Sequence, residues 1–169
     1  MSATVLIAGV GNVFFGDDGF GVEVARRLCA EALPADVEVV DYGIGGLHLA
    51  FRLLDPLRLL VVVDVSPRGG APGTLYVLEP EVEDAAAGAG GEAHGMHVPA
   101  VLATARAMGA ILPPVRIVGC EPLDVAERIG LSTPVATAVE PAVRLVRELF
   151  EAELFSAAAS AATQAEVAP

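Results

Sequence analysis

The sequence predicts an α/β fold, a three-layer α/β/α sandwich around a mostly parallel, mixed sheet of about five strands. Three observations carry this. Short apolar runs of strand length alternate along the chain with segments of helical periodicity. The run Leu57 to Val65, LRLLVVVDV, is almost continuously aliphatic, as suits a central strand covered on both faces. The opening segment VLIAGVGNVFFGDDGFGVEVARRL passes from an apolar run through a glycine-rich turn into a helical pattern, the outline of a βα unit.

Thr4 to Ala8 reads as the first strand and Gly19 to Leu33 as a helix, with Phe20, Val24 and Leu28 recurring every four residues. Val37 to Asp41 makes a second strand, and Leu47 to Leu54 a short helix ended by Asp55-Pro56. After the central run, Ser66 to Gly73 is too short for a helical crossover, so Thr74 to Leu78 is expected to return as an antiparallel edge strand. Glu81 to Ala93, acidic and Ala/Gly-rich without periodicity, reads as a mobile surface loop. Pro99 fits the first turn of a helix running to about Met108, with Gly109 as a left-handed cap. Val115 to Gly119 is a further strand. Thr133-Pro134 opens a helix expected to reach about Leu154, with a kink or restart at Pro141. Residues 1–155 are thus expected to form one domain, and the Ala/Ser/Thr-rich segment 156–169 a disordered tail.

Composition narrows the function. The 169 residues are 54% hydrophobic, enough for one well-buried domain. All ten basic residues are arginines, which excludes Schiff-base chemistry and a Walker-type phosphate lysine. A net charge of −12 argues against a nucleic-acid footprint, and no apolar run approaches the ~20 residues of a membrane span. Cys29 and Cys120 form no CxxC pair and read as core thiols in a reducing compartment, so the protein is expected to be cytoplasmic.

In a doubly wound sheet the site lies beyond the carboxyl ends of the strands, where strand order reverses. If strands one and three are neighbours across that point, Asp17 and Asp18 after the first face Asp64 at the end of the third, and Asp41 closes the second strand similarly. One of the adjacent acids is expected to cap the following helix. Carboxylates gathered at one rim call for a cation, a shared proton or a basic partner. His94 stands where the acidic loop meets a helix, and carboxylates with an imidazole suit a divalent transition metal. His48 and His97 read as structural or surface residues.

Other chemistries fit poorly. The Gly11 to Gly16 gap is too long for G-x-G-x-x-G, and a pyrophosphate would meet Asp17 and Asp18. No G-x-S-x-G or H-E-x-x-H occurs. Cys120 could act as a nucleophile only beside a histidine, and Glu121 disfavours its thiolate.

The segment GVGNVFFGDDGFGVEVARRL resembles the first motif of the [NiFe]-hydrogenase maturation endopeptidases. DYGIGGLHLAFRLLD, VVVDVSPRGGAPGTLYVLEP, AHGMHVPAVLATARAMG and VRIVGCEPLDVAERIGLSTPVATAVEPAVRLVREL follow in family order. The resemblance implies removal of a short C-terminal extension from the hydrogenase large subunit after nickel insertion. It assigns the metal-contacting positions to Asp18, Asp64 and His94, and puts Asp41 in the substrate-recognition loop. Many members carry glutamate at the position of Asp18. Nickel would be supplied by the substrate rather than held by the resting enzyme, leaving open whether it also takes part in hydrolysis. The partner would be the large-subunit precursor, with neither nucleic acid nor membrane involved and the enzyme a monomer. A second reading from another class is a nickel-dependent chaperone or metal carrier using the same residues without hydrolysis.

Overall fold

The computed structural model describes residues 4–81 and 97–166. Strand β1 (Thr4–Val10) leads through a 3₁₀ turn (Gly16–Gly19) into helix α1 (Phe20–Cys29). There follow β2 (Val37–Gly43), α2 (Gly46–Arg52), β3 (Leu57–Val65), β4 (Leu75–Leu78), α3 (Val98–Ala107), β5 (Val115–Cys120) and α4 (Thr133–Glu166). The sheet order is β2-β1-β3-β5-β4, parallel except for β4, which pairs antiparallel with β5 as the short connection requires.

The strand order explains the layers. From β1 the chain steps to β2 on one side, then crosses back to β3 on the other, so right-handed crossovers put α1 and α2 on opposite faces. One core joins Val5, Ile7, Val61, Val63 and Val118 to Phe20, Val24 and Leu28 of α1 and to Val139, Val143 and Phe150 of α4. The other joins Leu6, Ala8, Leu60 and Val62 to Leu49 and Leu53 at α2 and to Val101 and Leu102 of α3. Alternate residues of β3 enter each core, which is why its sequence shows no polar alternation.

Three expectations need correction. Helix α1 ends at Cys29 rather than Leu33, because the chain closes with bonds from Ala30 N to Arg27 O and from Glu31 N to Leu28 O before Pro34. Helix α4 passes through Pro141 with no restart. The carbonyl that proline leaves without a donor belongs to exposed Thr137, where water can serve it. The same helix continues to Glu166, so the segment expected to be a disordered tail from 156 is helical as far as that residue. Its alanines are the strongest helix formers. Gly109, at φ +98°, is the left-handed cap expected after α3.

Candidate active site at the carboxyl edge of the sheet

The switch point falls between β1 and β3, which are neighbours. Two glycines on α1 and β1 let the helix start sit directly on the strands. A Cβ at Gly21 would overlap the carbonyl oxygens of Val63 and Val10, and one at Gly9 would overlap the Gly21 carbonyl. The chain entering α1 is thereby pressed against the last turns of β1 and β3, and Asp18 arrives beside Asp64.

The two adjacent acids have different tasks. Asp17 is fully buried and accepts four hydrogen bonds: from Ser132 N at 2.6 Å, Ser132 Oγ at 2.8 Å, Leu123 N at 2.8 Å and Asp124 N at 3.0 Å. Burial alone would raise its carboxyl, but the donors from Asp124, Ser132 and Leu123 outweigh it and hold the group below the usual range. Backbone bonds from Gly16 N to Arg128 O, Asp17 N to Asp124 O and Arg128 N to Phe14 O fasten the same two segments together. Asp17 is therefore a rivet between the 3₁₀ turn and the β5–α4 loop. Neither it nor Asp18 caps a helix through its side chain, contrary to expectation, because those side chains turn to loop donors instead.

Asp18 is 9% exposed, and its Oδ2 accepts from Asn12 N at 2.8 Å. That turn requires Gly11, at φ +135°, where a Cβ would overlap the Asp18 carbonyl. Burial raises the Asp18 carboxyl, partly offset by the Asn12 donor. Asp64 accepts only the N–H of its neighbour Val65, at 2.8 Å, among the described residues. Its carboxyl is pushed well above the ordinary value, by burial first and then by the charge of Asp18. One oxygen on each acid thus has no protein donor among the described residues, in a crevice that disfavours two negative charges. Such a pair takes up a proton or a cation.

The other candidates are placed as follows. Asp41 lies at the same edge but is exposed, and its Oδ1 accepts from Gly43 N at 2.9 Å within its own turn. His48 and His97 are exposed. His94 lies outside the described residues, as does most of the Glu81 to Ala93 loop. Among the described residues no three His, Cys, Asp or Glu side chains gather as a metal-holding set. Cys120 is fully buried, and burial, followed by the charges of Asp17 and Glu121, pushes its thiol up to about 12. It cannot serve as a nucleophile at neutral pH.

Sequence reasoning missed Glu121. Its carboxylate is 5% exposed and accepts from Arg68 N at 2.8 Å, Gly69 N at 3.2 Å and Tyr76 Oη at 2.9 Å. An acid directly after a core strand and before proline was its one local signal.

The geometry defines a class: a doubly wound α/β protein with paired acids across its switch-point crevice. Comparison with known proteins makes the assignment specific. The family profile described as HycI, hydrogenase maturation protease, matches residues 22–149. The hydrogenase expression/formation protein HupD of Rhodobacter capsulatus is 35% identical over 151 residues, covering 86% of this chain and 70% of HupD. The solved structure of the hydrogenase maturating endopeptidase HybD from Escherichia coli superposes with a TM-score of 0.74 at 29% identity, covering 88% of this chain and 93% of that one. A hydrogenase 2 maturation peptidase from a Thaumarchaeota archaeon gives a TM-score of 0.69 at 34% identity, covering 88% and 98%. The chain belongs to the hydrogenase maturation protease family, and it is a peptidase. Among the described residues no helix is long and apolar enough to cross a membrane.

Proposed function

We propose that this protein is the endopeptidase that removes the C-terminal extension of a [NiFe]-hydrogenase large subunit after nickel has been inserted, and that it recognises the nickel its substrate carries. The observation supporting this reading most directly is the pairing of Asp18 with Asp64. Each offers a carboxylate oxygen unclaimed by protein donors among the described residues, and nickel held by the precursor offsets the charge that the pair otherwise concentrates. His94 supplies the nitrogen ligand.

In this scheme nickel is part of the substrate. Asp18, Asp64 and His94 grip it and so register the scissile peptide against the crevice, while Asp41 on the neighbouring strand end contacts the recognised segment. A large subunit without nickel binds poorly and escapes cleavage. The enzyme works as a monomer in the cytoplasm.

The test is cleavage of nickel-loaded precursor by the wild type and by Asp18→Ala, Asp64→Ala and His94→Ala. Shortening of the large subunit by the wild type, with loss in each variant, is the expected result. Undiminished activity in all three would overturn the site, and an unchanged precursor mass after long incubation with wild type would favour the carrier reading.

A further inference from the structure

The Glu121 clamp holds a feature that the paired acids do not use. The loop 66–73 leaves β3 one residue after Asp64 and is tied at both ends: Ser66 N donates to Cys120 O, Gly73 N donates to Glu121 O, and Glu121 N donates to Thr74 O, each at 2.8 Å. Between those ties, the buried Glu121 carboxylate takes the backbone N–H groups of Arg68 and Gly69 and the Tyr76 hydroxyl. The donors, led by Arg68 N, hold this carboxyl below its ordinary range, so it stays charged and the loop stays fastened. What the fastening presents is Arg68. Its guanidinium carbon stands 5.7 Å from the Tyr76 ring centroid, exposed, and no carboxylate pairs with it among the described residues. In a chain of net charge −12, an exposed arginine held at its backbone and with no acid partner among the described residues offers a binding point for a carboxylate from outside.

Its position relative to the crevice follows from register. Asp64 pairs with Gly119, and Gly119 with Tyr76, so the three lie in one row across β3, β5 and β4 with Asp64 and Tyr76 on the same face. Gly119 between them carries no side chain, and the place its Cβ would take is filled by Ser66, whose Cβ lies 2.6 Å away. Two strand spacings separate Asp64 from Tyr76 by about 10 Å.

We infer that Arg68, seated on Tyr76 and held by Glu121, is a specificity contact that accepts a carboxylate of the protein substrate while its metal-bearing part occupies Asp18 and Asp64. The inference rests on the reading in the preceding subsection. A guanidinium held over a ring with no acid bound to it keeps its fork free for two parallel hydrogen bonds to one carboxylate. An extended peptide covers the distance in roughly three to five residues, which sets where the acid must lie relative to the group held at Asp64.

The experiment compares the wild-type chain with Arg68→Ala, Arg68→Lys and Glu121→Gln, measuring both binding of nickel-loaded precursor and its cleavage. Arg68→Ala should raise Kd and KM about tenfold with kcat within about twofold, and Arg68→Lys should recover only part of the loss, because charge returns without the fork. Glu121→Gln should give the same pattern as Arg68→Ala, weaker in size. The precursor's Asp and Glu residues are then changed singly to Asn and Gln, and a separate precursor is lengthened by two glycines to displace its terminal carboxylate. One of these substrates should bind wild type and Arg68→Ala equally, which identifies the carboxylate and its source. Unchanged KM in Arg68→Ala, or a loss that no altered substrate abolishes, overturns the inference. Weaker binding of the precursor by Arg68→Ala than by wild type, with neither enzyme shortening it, would sustain the contact while overturning the protease reading.

Discussion

Gly21 and Val63 touch backbone to backbone, with no room for a side chain between the first turn of α1 and the carbonyl that precedes Asp64. This contact sets the distance between the helix start carrying Asp18 and the strand end carrying Asp64. Gly21→Ala should cost about 1–3 kcal/mol in urea unfolding, the usual penalty for overpacking. Cleavage at a temperature where the variant remains folded should fall further than that loss of stability accounts for, since the helix start must lift away from the strand.

Asp17 predicts a distinct pH dependence. Its folded carboxyl lies below the unfolded value, so the stability it contributes is present above that unfolded value, near 3.9, and is lost as pH falls through the folded one. Asp17→Asn should cost about 3 kcal/mol at neutral pH, because an amide nitrogen then faces donors that need an acceptor. Urea midpoints recorded from pH 7 downward should converge for variant and wild type in acid.

Asp64 predicts the opposite sign. Burial, then Asp18, raises its folded carboxyl, so its contribution favours folding below the unfolded value and is lost as pH rises through the folded one. Asp64→Asn keeps an oxygen for the Val65 N–H and removes the charge. Its urea midpoint should exceed that of wild type at pH 7 to 8 and merge with it near pH 4, roughly the unfolded carboxylate value. The same variant should lose cleavage of nickel-loaded precursor by about 100-fold or more, a gain in stability set against a loss in function.

Thiol chemistry gives an independent check. Cys29, contrary to the core position expected for it, is exposed, and Cys120 is buried with a thiol raised to about 12. Iodoacetamide at pH 8 should label Cys29 alone in the folded chain and both after unfolding. Cys120→Ala should retain kcat, since neither nucleophile nor ligand is removed.

Much of this arrangement was legible in the sequence where one residue carries one message. The aliphatic β3 run announced a strand buried on both faces, and the aspartate at its carboxyl end was expected to face Asp18, beside which the structure places it. The two adjacent acids were harder: one faces the crevice and the other an interior loop, and only partners more than a hundred positions away separate them. Glu121 was missed for the same reason, as its backbone donors lie 53 and 52 positions upstream. The far end of α4 was not legible because an Ala/Ser/Thr-rich segment carries little packing signal, while alanine itself is a strong helix former.

The side-chain bonds of Asp17 span 106 to 115 positions, joining the opening turn to a loop near the start of α4. During vectorial synthesis the turn bearing Asp18 therefore emerges early but cannot be completed until Ser132 has left the ribosome. Nascent chains and fragments that stop short of that serine carry every residue of the acid pair without a competent crevice. Completion of the opening turn is thus coupled to arrival of the loop between β5 and α4, more than a hundred positions downstream.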